Sequence, residues 1–212
     1  MQRFNKTVAK HAFTHTWYLY PVSIIIVALV WMWGFMAFHQ PTAHEKLTIF
    51  VGAKVTDQSC FTRIKKDHYT KEGLREVTVP SSSISNYNAF TEKLKVYLYT
   101  SDILVLDDDT VNSLKTLNRL EETFVDLKNP VVAQYLSGTE ERYTHNEKDF
   151  GILLKKKSVD HYLDAYMNFE ADHDYYLLLG LSSKNLGSAL NEKNEKHTNA
   201  LTYMSYLLEG NL

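Results

Sequence analysis

Cysteine is almost missing from the sequence. Cys60 is the one thiol in 212 residues, which excludes an intrachain disulfide framework and a thiolate metal cluster. It is left as a half-buried, inert thiol or as one half of an intermolecular disulfide. A surplus of positive charge is missing too: Lys and Arg number 23 against 25 Asp and Glu, with no basic stripe, so nucleic acid is not an expected partner. The linear signatures of catalysis are also absent. There is no G-x-S-x-G, no HExxH, no glycine-rich phosphate loop and no usable Cys–His pair, since an apolar segment separates His11 and His15 from Cys60. An enzyme is therefore not expected, nor a cofactor, although dispersed carboxylate pairs leave no linear trace.

What the sequence has instead is one long uncharged run, WYLYPVSIIIVALVWMWGFMAF, Trp17 to Phe38. At about 1.5 Å per residue it reaches roughly 30 Å, the thickness of a bilayer core. Arg3, Lys6 and Lys10 precede it without an acid, whereas Glu45 and Lys46 balance on the far side. The positive-inside rule then puts residues 1–16 in the cytoplasm, a transmembrane signal anchor at 17–38, a connector at 39–46 and a domain at 47–212 outside the cell membrane. A cleaved signal peptide would have a shorter apolar region ending in small residues, and GFMAFHQP does not read that way.

Beyond the connector, LTIFV (Leu47 to Val51) reads as a buried strand closing at Gly52. An irregular helix follows from Ser59 to about Lys71. REVTVPSSS, Arg75 to Ser83, reads as a strand near a sheet edge, stopped by Pro80. Ser85 or Asn86 caps a helix with Phe90, Leu94, Tyr97 and Leu98 on one face. DILVL is a continuous apolar run, as in a strand covered on both faces. After it, Val111, Leu114, Leu117, Leu120 or Glu121, and Phe124 recur at helical spacing, with Asp108 and Asp109 where an N-cap and a first-turn acid belong. SGTEERYTHNEKD reads as a surface loop. A short strand is expected around Ile152 to Leu154, a short helix around Tyr162 to Phe169, a last strand over Tyr175 to Leu181, and a terminal helix from about Lys193 to Leu208. Alternation of strand and helix in the first half predicts an α/β fold with a mostly parallel sheet flanked by helices.

In such a sheet, ligands gather outside the carboxyl ends of the strands. Those ends offer Gly52, Ala53, Ser81, Ser82, Ser83, Asp107, Asp108 and Asp109, a set suited to a polar or cationic solute. Strand ends and helix caps explain the same residues without a ligand. Asp172, His173 and Asp174 have metal-ligand residue types, as do His39 and His44. Neighbours on an extended segment point apart, however, so a solvated turn is the expectation and no metal site is assigned.

The order of segments resembles the extracellular solute-binding proteins of ABC importers, specifically one lobe of a type 2 periplasmic-binding protein. The likeness rests on LTIFVGA, on EVTVPSSS followed by YNAFTEKLKVYLYTSDILVLDDDTVNSL, on DFGILL, and on the closing DYYLLLGLSSKNLG with its helix. Family members join two lobes through a hinge, whereas only about twenty residues, Asn129 to Phe150, stand where a second lobe would be inserted. The resemblance implies a small polar solute and an ABC-transporter or other membrane subunit as partners. It equally fits an interaction domain that kept the lobe as scaffold and lost the solute.

Overall fold

The structure, a computed structural model, describes residues 18–61, 63, 73–187 and 197–209. The chain divides into two compact units, Met1–Gln40 and Pro41–Leu212. The first contains helix α1, Leu19–His39, of which no residue is buried. It is apolar around its whole circumference, with Pro21 in the first turn, where a missing N–H costs nothing. It is long and apolar enough to cross a membrane, a property that a signal sequence shares.

The second unit is an α/β fold around a six-stranded sheet, ordered β3 (Glu76–Thr78), β1 (Lys46–Val51), β4 (Ile103–Asp107), β8 (Tyr175–Leu179), β6 (Lys148–Lys155), β5 (Arg142–His145). Four strands share one direction, and β3, β1 and β4 form the parallel block that their alternation with helices predicts. The other half of the sheet is antiparallel. β8 runs against both β4 and β6, and β5 runs against β6, so by neighbouring pairs the sheet is mixed. Apolar runs report that a strand is covered on both faces, not which way it points.

The sheet is packed on both sides. Ile103 and Val105 of β4 face one apolar cluster and Leu104 and Leu106 the other, all at most 2% exposed. Helix α2 (Tyr87–Tyr97) and helix α3 (Asp108–Thr116) cover the second cluster through Phe90, Val111 and Leu114. The short helices α4 (Leu120–Thr123) and α5 (Pro130–Ala133) follow. The terminal helix α6 (Asn199–Glu209) covers the first cluster through Ala200, Leu201, Tyr203, Met204 and Leu207. Each fully buried Leu, Ile, Val, Phe or Met side chain of these clusters contributes about 1.5–3 kcal/mol on burial.

Several expectations are corrected in detail. The helix after Asp107 stops at Thr116 because Asn118 takes φ 55°, a conformation asparagine tolerates, and Leu117 is left 64% exposed instead of reaching the core. The segment read as a surface loop contains β5, joined to β6 through Asn146 and Glu147 at φ 49° and 64°. Positive φ at both central residues is the twist-matched hairpin turn. A small two-stranded sheet, β2 (Lys54–Val55) with β7 (Met167–Asn168), was not anticipated. The short helix is a 3-10 turn over Tyr162–Ala165, capped by His161. Of the helix expected from Ser59, residues 59–61 and 63 are helical, and 62 and 64–71 lie outside the described residues, as do 193–196 of the terminal helix.

Candidate functional site

The acidic triplet divides into three roles. Asp107, 2% exposed, is the N-cap of α3: one carboxylate oxygen accepts the Thr110 N–H at 3.1 Å and the other the Thr110 hydroxyl at 2.6 Å. The cap is thus one residue earlier than Asp108 or Asp109, the expected positions, because β4 runs through to Asp107 and the helix begins without a linker. Asp108 and Asp109 fall in the first turn, where their charge opposes the helix dipole. Asp109 reaches solvent with its side chain 78% exposed.

The other strand ends do not converge as a set. Gly52 donates its N–H to Val105 O at 2.7 Å, and a Cβ there would sit 3.0 Å from that same oxygen, so the glycine serves the close approach of β1 to β4. Ala53 is buried in the core. Ser81 bridges to Val51 and Ser82 donates its N–H to Val51 O, so both extend the β3 side of the sheet. Ser83 alone turns toward the triplet's side: its hydroxyl donates to Glu170 Oε1 at 2.9 Å and lies 2.6 Å from Ser85 Oγ.

Sequence reasoning missed the residue that ties this region together. His173 was expected in a solvated turn, yet its Nδ1 lies 2.9 Å from Asp108 Oδ1 and 3.8 Å from Asp109 Oδ2, with Nε2 3.8 Å from Asp172 Oδ1. The contact is fixed by the backbone, since Asp108 N–H donates to Asp174 O at 2.9 Å where β4 and β8 pair. Burial alone would lower the His173 pKa, but the bond to Asp108 and the charges of Asp107 and Asp172 outweigh it and hold the imidazole above its ordinary value. Among the described residues, Asp107, Asp108 and His173 are the group whose ligand atoms lie within 4.8 Å of one another. Both Asp107 oxygens are already committed to the cap. His39 and His44 are elsewhere: His39 Nδ1 donates to Phe35 O at 2.8 Å, and His44 stacks on His197 at 3.7 Å.

These residues form one end of a cleft of about 520 Å³ between α2, α3 and the loop before β8. Phe90, Leu94 and Leu114 line its apolar side, and Asp107, Asp109, Glu170, Asp172 and His173 its polar end. It opens at the carboxyl end of β4. That is where the last strand of a parallel block would present a ligand.

A second acidic group, Asp102, has a structural task. Its carboxylate is 8% exposed and accepts bonds from Thr48 N–H at 2.8 Å, the Asn185 amide at 3.1 Å and the Ser183 hydroxyl. Asn185 also donates to Lys46 O at 2.8 Å, and Ala200 N–H donates to Asn185 O at 3.0 Å. The turn in LSSKNLG therefore staples the start of β1 and β4 to α6. Desolvation raises the Asp102 pKa against the pull of its three donors. Cys60 is buried, with its thiol pushed up to about 11 by desolvation, which keeps it protonated and unreactive.

No family model matches the chain, and no curated protein matches it. Among solved structures, the apo form of RafE from Streptococcus pneumoniae aligns with a TM-score of 0.35 and 15% identity, over 54% of this chain and 28% of that one. The chain thus spans well under a third of that protein's length. Chains of unrelated fold share similarity at this level.

Proposed function

We propose that this chain is a membrane-tethered binding module, working outside the membrane as a single solute-binding-like lobe and assisting a membrane partner such as a transporter subunit. It binds and presents a small solute and catalyses no reaction. The observation that carries this reading is the cleft of about 520 Å³ at the carboxyl end of β4, a volume within the range of small-molecule sites. Helix α1 supplies the tether, with the basic residues before it inside and the domain outside. A lone lobe walls one side of a ligand, so affinity stays weak until a second copy or the membrane partner supplies the other wall.

An interaction domain is the competing reading. It draws on Val96, Tyr99 and Leu117, which are 59%, 47% and 64% exposed, and on the bond of 3.3 Å from Arg119 to the Tyr99 hydroxyl that brings the ends of α2 and α3 side by side.

The full chain in lipid nanodiscs, dialysed to equilibrium against a small-molecule extract of its own cells and compared without a wash to empty nanodiscs, tests the reading by mass spectrometry of what is retained in excess, a measurement that registers weak binding. Ser113 is exposed on the cleft wall, so Ser113→Trp fills the cleft at little cost to packing. Compounds retained by the wild type and lost from Ser113→Trp support the binding module. Retention of nothing, or of the same compounds by both, refutes it.

A further inference from the structure

We propose that the α2–α3 cleft selects organic cations with an aryl or alkyl body, the ammonium meeting Asp109 and Asp172 at the rim and the body lying on Phe90, Leu114 and Tyr87. This rests on the binding-module reading above and names the ligand class of that cleft.

The wall of the cleft has few donors left to offer. Thr91 Oγ1 already donates to Tyr87 O at 2.8 Å, Ser113 Oγ to Asp109 O at 2.8 Å, and Thr110 Oγ1 to Asp107 at 2.6 Å, while Ser85 Oγ pairs with Ser83 at 2.6 Å. A polyol or sugar is recognised through donors and acceptors placed together around its hydroxyls, and an anion through donors alone. Here the serine and threonine hydroxyls are spent within their own helices and turns, and the Tyr87 hydroxyl at the mouth is one further polar group of the lining. Carboxylate acceptors therefore dominate what remains.

Charge points the same way. Among the described residues, the lining holds Asp107, Asp109, Glu170 and Asp172 and neither lysine nor arginine. Asp107 is consumed by the cap and Glu170 accepts from Ser83, but the side chains of Asp109 and Asp172 are 78% and 86% exposed. Both lie 3.8 Å from one imidazole, His173, the sole basic group of the lining among the described residues. Opposite them, Phe90 and Leu114 form an apolar floor at 4% and 6% exposure, and Tyr87 stands 73% exposed at the mouth. A tyrosine face and free carboxylates lining one cleft are the pairing that ammonium groups favour, through cation–π and ionic attraction together.

His173 then acts as the internal competitor. The bond to Asp108 and the charges of Asp107 and Asp172 favour its protonated form; Asp109 and Glu170 share the cleft with it, and α2 contributes Tyr87, Phe90, Thr91 and Leu94, none of them charged, to the lining. Below its raised pKa the imidazolium occupies the field that a ligand cation needs. Above it that field is free, so cation affinity rises as pH rises through the His173 transition.

Three aromatic probes of similar size test this on the full chain in nanodiscs by ligand-observed NMR: benzyltrimethylammonium, benzyl alcohol and phenylacetate. The quaternary ammonium keeps its charge at every pH. It is expected to bind about tenfold more tightly than the alcohol, with phenylacetate weakest. Asp109→Asn combined with Asp172→Asn lowers ammonium affinity about fivefold and leaves the alcohol unchanged. Moving from about pH 5.5 to about pH 8.5 tightens ammonium binding several-fold, and His173→Gln removes that dependence. Alcohol or phenylacetate binding as tightly as the ammonium, or a double variant without effect, overturns the proposal. Failure of all three probes while Ser113→Trp still abolishes retention of a cellular compound overturns the ligand class and leaves the binding module standing; failure of both experiments removes both.

Discussion

Replacing Asp102 by alanine isolates the staple between the sheet and the terminal helix. The carboxylate takes three bonds: from Thr48 N–H at 2.8 Å, from the Asn185 amide at 3.1 Å and from the Ser183 hydroxyl. In Asp102→Ala the Ser183 hydroxyl can rotate and Asn185 keeps Lys46 O, but Thr48 N–H is stranded inside the sheet. An orphaned buried donor costs about 1–3 kcal/mol and each further bond about 1 kcal/mol, partly offset by no longer burying a carboxyl, so the net loss is about 3 kcal/mol. For a domain of this size that corresponds to roughly 6–12 °C in Tm.

Asp102→Asn retains one oxygen and must point its amide at a donor, a loss of about 1–2 kcal/mol. The pH response adds a second signature. The folded-state pKa of Asp102 is raised above the ordinary carboxyl value, so between the two values the folded protein holds the extra proton, and stability declines as pH rises through that window. Asp102→Asn should lose this slope. All three tryptophans lie in the apolar segment and report nothing of the domain, so the assay is calorimetry or far-ultraviolet dichroism of the full chain in detergent. A Tm for Asp102→Ala within about 2 °C of wild type would refute the staple.

Two further substitutions follow from the geometry. Gly180→Ala would set a Cβ 2.2 Å from Ser101 O, a backbone atom that cannot step aside, so a loss of several kcal/mol or failure to fold is expected by calorimetry, and near-normal stability would contradict the close approach. Asp107→Ala should cost about 0.5–2 kcal/mol through the lost cap, while Asp109→Ala stays within about 0.5 kcal/mol; the reverse order in a chemical denaturation series would return the cap to the later aspartate.

Much of the domain was legible in the sequence because its signals are local. The DILVL run announced a strand covered on both faces, and Leu104 and Val105 do face opposite clusters. The α2 cap at Asn86 was legible for the same reason. The α3 cap was misplaced by one residue, since composition alone ranks three successive aspartates equally. What was hidden is non-local. His173 meets Asp108 across 65 positions and Asp102 meets Ser183 across 81, and no periodicity encodes either. The Asn146–Glu147 turn lacked the glycine that usually advertises a hairpin, and β5 was read as loop in consequence.

The position of β8 has a consequence for how the chain matures. Tyr175–Leu179 fills the slot between β4 and β6, so the centre of the sheet is built from the last of its six strands to be synthesised. Until it arrives, the β4 and β6 edges expose unpaired backbone beside apolar side chains, a template for wrong partners. A nascent chain stalled or clipped before Tyr175 would therefore be an aggregation hazard, not a smaller folded domain, and the burden on chaperones should fall sharply once residue 179 has emerged.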